Sequence, residues 1–164
     1  ADPPWQAGRW RVWVTGLAVW LAALPPQLRR RALRRFAVRG KIADRISGMP
    51  RLRDRTLRAL VRARGRGAVD AALRDLPEEE LHALYAWAEP ALRRRIARFA
   101  GEDRHRRLPI NGQDLAGLGL AGPMLGRALE RVRCALLDGA VKTREEALAL
   151  AAEVARGRGA RRRR

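Results

Sequence analysis

Arg51, Arg55, Arg58 and Arg62 stand at i, i+4, i+7 and i+11, a spacing that lines them along one face of a helix. Each guanidinium offers a planar fork of N–H donors that fits phosphate oxygens, so the row suits a nucleic-acid backbone. We read the row as free of neighbouring acids. Like charges at these spacings repel by a few tenths of a kcal/mol per pair unless an anion offsets them. A merely solvated face is the plain alternative. Arg29, Arg30, Arg31, Arg34, Arg35 and Arg39 form a second acid-free cluster. It wraps around its helix, and Arg30, Arg34 and Arg35 are its candidates for phosphate contact.

A different device lies at Gly119-Leu120-Ala121-Gly122-Pro123-Met124-Leu125-Gly126. Gly122-Pro123 starts a helix whose free N–H groups and dipole favour an anion, and Gly119, Gly122 and Gly126 let a backbone approach closely. The segment is similar to the glycine hairpin of helix-hairpin-helix DNA-binding modules, with one residue too many between Gly119 and Gly122. In the structural alternative Gly126 permits close helix packing and Asp114 caps a turn.

Other chemistry is scarce. A two-metal catalytic site needs carboxylates held close together, and the chain has no Asp-x-Asp or Asp-x-Glu pair. Ser47 is the only serine, and Thr15, Thr56 and Thr143 are the only threonines. His82 and His105 are isolated, so no zinc cluster is expected. Cys134, the single cysteine, falls in an apolar helical run with Leu129, Val132, Leu136 and Leu137 and reads as a small core residue. We expect no catalytic residue, cofactor or metal in this chain.

Net charge is +19, unevenly placed. Residues 1–66 hold seventeen Lys/Arg against three acids, whereas residues 67–155 hold thirteen against fourteen. Compositional bias accounts for the preference of Arg over Lys but not for this asymmetry, which points to a polyanionic partner. A hydrophobic fraction of 47% is enough for a real core. A lone cysteine suits a reducing cytoplasm. Val12 to Leu24 is too short for a membrane span. The spacing of Trp10, Trp13, Leu17, Trp20 and Leu24 predicts a buried helix stripe there, with no membrane partner.

Helical periodicity covers nearly every segment. Helices are expected over about 9–23, 26–38, 41–46, 50–63, 68–74, 78–88 and 90–100, with Ser47-Gly48-Met49-Pro50 a break. In the fourth, Leu52, Leu57, Leu60 and Val61 are to face inward. Arg93, Arg94, Arg95 and Arg98 are to point mostly outward. Residues 101–108 form a charged linker. Beyond it come a helical turn near Leu115, a helix from Pro123 to Leu137, and a last one from Thr143 to about Ala155. Thr143 and Glu146 have capping-box spacing. The expected fold is all-α: an antiparallel multi-helix bundle over 1–100, a small three-helix module over 109–156, and a disordered Arg-rich C-terminus over 157–164.

The module carries an ordered set of motifs: Ile110-Asn111-Gly112-Gln113-Asp114-Leu115, the G-x-x-G-P-x-x-G helix entry, Asp138-Gly139, and Thr143-Arg144-Glu145-Glu146-Ala147. In this order they resemble the C-terminal region of the bacterial CCA-adding tRNA nucleotidyltransferase and poly(A) polymerase family. The likeness is strongest over 108–155 and rests on helix lengths and Arg-rich helices over 9–107. It implies a helical body and tail that clamp the acceptor arm and elbow of a tRNA, working with a separate catalytic head domain. That head would use magnesium, CTP and ATP. The chain begins at Ala1, and we expect an excised piece of a longer protein. Glu102-Asp103-Arg104-His105-Arg106 matches the E-D-x-x-R pattern with which the family selects nucleotides. It stands only a few residues before the INGxDL turn, where we read it as a solvated linker. The expectation is therefore a non-catalytic tRNA- or RNA-binding region. Alternatives are a stand-alone helix-hairpin-helix DNA-binding module and a helical protein-interaction adaptor.

Overall fold

Proline opens three of the helices, where its missing N–H costs nothing and its fixed φ is already helical: Pro26, Pro90 and Pro123 each stand at a first helical position. The structure, a computed structural model, describes residues 4–5 and 10–161, without the side chains of residues 155 and 157–161. Among the described residues all regular structure is helical and none is strand. In order these are α1 (Val12–Leu21), α2 (Pro26–Arg35), α3 (Gly40–Arg62), α4 (Gly65–Leu73), α5 (Glu78–Trp87), α6 (Pro90–Gly101), a 3-10 turn (Asp103–His105), α7 (Gly112–Gly117), α8 (Pro123–Leu137) and α9 (Arg144–Arg161). They fall into two compact units, one of residues up to 63 with 72–104, the other of residues 64–71 with 105–164.

The core of the first unit joins Val14, Ala18 and Leu21 of α1 to Leu33, Ile46, Met49 and Ala83. Two expectations fail here. The buried stripe of α1 is Val14, Thr15, Ala18 and Leu21, not the tryptophans: Trp13 is 50% and Trp20 66% exposed. Small residues decide this, since Ala18 and Ala83 share the core and permit close backbones, while the Thr15 hydroxyl donates to the Glu79 carbonyl at 3.0 Å. The break at 47–50 is also absent, because α3 runs unbroken through Pro50. Pro50 has no N–H for the Ile46 carbonyl. At the next carbonyl, Ser47, a guanidinium N–H from Arg29 supplies a donor at 3.0 Å.

Three arginines of this unit close helix C-termini, where carbonyls lack intrahelical partners. Arg29 is buried and also donates to the carbonyls of Leu21, Ala22 and Leu24 at the end of α1. Arg93 donates to Tyr85 and Ala86 at the end of α5. Arg95 donates to Leu60 and Ala63 at the end of α3. Arg93 and Arg95 therefore do not point outward as expected, whereas Arg94 and Arg98 are exposed. The expected solvated linker is tied down in part as well: Asp103 is 1% exposed, and Arg104 donates to Glu78 at 2.7 Å.

In the second unit α7, α8 and α9 pack on one another around Ile110, Leu115, Leu120, Ala128, Val132, Val141, Ala147 and Ala151. Asn111 and Asp114 form a reciprocal capping box on α7. The Thr143 hydroxyl accepts from the Glu146 N–H, and the Glu146 carboxylate accepts from the Thr143 N–H, both at 3.2 Å. Arg144 donates to Asp114, joining the two capped turns. Asp138 accepts from the Gly67 N–H at 2.9 Å at the start of α4. A Cβ at Gly67 would lie 2.7 Å from the Cα of Cys134, so this glycine is what permits the close approach. Buried Asp70 holds Arg133 through two oxygens at 2.7 and 2.8 Å. The backbone of α9 is helical to Arg161, beyond its expected end. Residues 162–164, and the side chains of 157–161, where the Arg-rich terminus was expected to be disordered, lie outside the described residues.

Candidate nucleic-acid interface

Along α3 the buried residues Ile46, Met49, Thr56 and Leu60 mark one side. At 3.6 residues per turn, Arg51, Arg55, Arg58 and Arg62 fall on the opposite side, and all four are exposed. From first to last the row spans about 16 Å at 1.5 Å per residue. Val61, expected inward, is 70% exposed. It sits one residue past Leu60, a third of a turn out of the core.

None of the four guanidiniums is held in a salt bridge among the described residues. The row is nevertheless not acid-free, as the sequence suggested. Asp54 lies in the same helix and is neutralised by Arg53, whose Nε donates to it at 2.9 Å. Asp44 and Glu80 line a shallow groove with Arg51 and Arg55. Burial pushes the Glu80 carboxyl up and Glu79 adds to this, while Arg45 and Arg55 pull it down. The two halves of the row therefore differ. Arg51 and Arg55 border Asp44 of their own helix and Glu80, which α5 brings in, and Arg58 and Arg62 are the stronger phosphate candidates.

In the second cluster Arg30, Arg34 and Arg35 are exposed, as are Arg31 and Arg39. Arg29 is withdrawn from it by its four carbonyl partners. Burial, then the charge of Arg53, hold its guanidinium below its ordinary pKa.

Gly119, Gly122 and Gly126 belong to the other unit and are all exposed. Gly119 (φ 75°) and Gly122 (φ 56°) occupy the left-handed region, which explains these two glycines by backbone alone. A Cβ at Gly126 would meet nothing within 4 Å, so the close-packing role considered for it is wrong. At the start of α8 the N–H groups of Met124 and Leu125 bond back to the carbonyls of Ala121 and Gly122. Few donors are left there for an anion.

His82 is not the solitary residue the sequence suggests. It is buried, stacked on Trp10 with centroids 3.7 Å apart and 5.0 Å from Trp5, and its Nε2 lies 3.4 Å from Glu78. Burial lowers its pKa, and Glu78 only partly opposes this. Burial would raise the Glu78 carboxyl, but hydrogen bonds from Arg104 and Trp5 outweigh it and hold the group below the usual range. No signal at His82 in the sequence marks this cluster, because its members lie up to a hundred residues apart. Among the described residues no group of His, Cys, Asp and Glu could hold a metal ion, and no helix is long and apolar enough to cross a membrane.

Compared with known proteins, the chain matches no family model, no curated protein and no solved structure.

Proposed function

We propose that this chain is a non-catalytic RNA-holding region of the tRNA nucleotidyltransferase type. It grips the phosphate backbone of a tRNA or similarly structured RNA while a separate head domain, with magnesium and CTP or ATP, adds nucleotides. The observation that carries the reading is the exposed row Arg51, Arg55, Arg58 and Arg62, directly opposite the buried side of α3. The resemblance of residues 110–147 supports tRNA as the ligand. Arg30, Arg34 and Arg35 extend the basic surface of the same unit.

Binding to tRNA is to be measured against salt for the parent, Arg58→Gln, Arg62→Gln and the double variant. Lys142→Gln serves as the charge-matched reference, since Lys142 is exposed and belongs to the other unit. Arg144 would be a poor reference because it holds Asp114. Each lost phosphate contact should lower the log–log salt slope by about 1. The loss should be alike for different tRNA sequences, because phosphate contacts carry no base information. An unchanged slope and affinity in the folded double variant would overturn the assignment. Preference for duplex DNA over tRNA would favour the helix-hairpin-helix reading, and salt-insensitive indifference to both would favour a protein adaptor.

A further inference from the structure

Trp13, Gly16 and Trp20 follow one another along the outer side of α1, and Phe36 and Val38 stand across from them on the turn between α2 and α3. Together they line an open groove in the first unit. Its aromatic rings are uncovered: Trp13 and Phe36 are each 50% exposed and Trp20 66%. Trp20 and Phe36 are 6.0 Å apart between centroids and inclined at 47°, so neither hides the face of the other. A Cβ at Gly16 would meet nothing within 4 Å, which leaves the stretch between the two indoles open. Ala37 holds the opposite wall in a left-handed conformation at φ 55°, unusual for a residue with a Cβ.

Charge selects the kind of occupant. Arg39 is the single charged residue lining the groove among the described residues. From Pro3 to Ala43 the chain carries nine Lys/Arg and no acid. The complementary ligand is anionic and presents a flat, weakly polar face. An unpaired nucleotide has both parts, a base that stacks on aromatic rings and a phosphate that a guanidinium holds. A lipid surface is also anionic, but it is planar, whereas this site is a concavity walled by two elements.

We propose that the groove takes unpaired nucleotides of a bound RNA, with bases stacked on Trp20, Trp13 and Phe36 and the Arg39 guanidinium on the adjoining phosphate. The proposal rests on the RNA-holding reading and adds to it a site for single-stranded RNA, distinct from the phosphate row on α3.

The test uses the full chain and two labelled RNAs, an oligoadenylate of about ten nucleotides and a blunt hairpin without unpaired ends. Trp20→Ser and Phe36→Ser remove exposed rings, and circular dichroism and melting verify that both variants fold. Each should weaken oligoadenylate binding by about tenfold and leave hairpin binding as in the parent. The salt slope should not change, because stacking releases no counterions. Trp20→Phe should retain most of the affinity. Unchanged oligoadenylate affinity in both folded serine variants would overturn the groove. So would an effect confined to vesicles of phosphatidylcholine with phosphatidylserine, or to the protein's own dimerisation. If hairpin binding persists and still depends on Arg58 and Arg62, only the stacking site falls. If the parent binds neither RNA, the RNA-holding reading falls with it.

Discussion

Guanidiniums in this protein bind helix-end carbonyls, pair with carboxylates or stand in solvent, and the first and last of these can be neighbours. Arg29 and Arg30 are adjacent in sequence, yet Arg29 is 7% exposed and bound to four carbonyls while Arg30 is in solvent. Only the last kind is free to meet a phosphate. His82 gives a residue-scale prediction of another sort. Its folded-state pKa is lowered by burial, so as pH falls below about 6.5 the unfolded chain takes up the proton first. Stability is then complete above that pH and declines below it. Urea unfolding at pH 7.5 and 5.5 should show this decline in the parent and a flatter response in His82→Leu. Glu78 and Asp114 have lowered values and titrate in more acidic solution, while Glu80, raised by burial, is present in both proteins and cancels in the comparison. Equal pH responses in the two proteins would contradict the assignment.

At the scale of elements, helix ends do as much to organise the first unit as helix faces. Arg29 fills the C-terminus of α1 and also serves Ser47, one residue beyond the Ile46 carbonyl that Pro50 deprives of a donor. An arginine of α2 thereby bonds to both α1 and α3. Arg29→Met keeps much of the apolar stem but removes the guanidinium donors from the half-buried carbonyls of Ala22 and Leu24, at a cost of about 3 kcal/mol. Arg34→Met, at an exposed position of the same helix, should change stability by less than about 0.5 kcal/mol. Chemical denaturation of the two variants checks this, and similar losses would mean that the carbonyl bonds of Arg29 contribute little. The second unit relies on carboxylates instead: Asp114, Asp138 and Glu146 each accept backbone N–H groups at helix starts. Much of what looks like a binding motif in residues 110–147 is thus explained as helix capping, while exposed Gly126 is not.

For the whole molecule, a net charge of +19 on 164 residues sets the terms. Self-repulsion opposes the compact state, and salt relieves it by shortening the screening length from about 30 Å at 0.01 M to about 8 Å at 0.15 M. The melting temperature should therefore rise over that range in a non-binding buffer, in contrast to RNA affinity, which should fall. Scanning calorimetry at the two ionic strengths checks this. A lower melting temperature at the higher salt would show that ion pairs such as Asp70–Arg133 outweigh repulsion.

Helix content, the starts at Pro26, Pro90 and Pro123, the capping box at Thr143 and the exposed row on α3 were all legible in the sequence, because each follows from local spacing. The helices α8 and α9 were legible for the same reason, but that residues 64–71 join their compact unit was not. Tertiary structure alone decided which face of α1 is buried, since Trp13 and Ala18 are both apolar and only packing against the rest of the unit chooses between them. It also decided that α3 continues through Pro50, that Glu80 of α5 borders Arg51 and Arg55, and that Gly67 rather than Gly126 makes the close approach. These outcomes depend on partners supplied by other elements. Periodicity reports what a segment can bury or expose, and the fold determines which of its groups meets another chain segment and which remains in water.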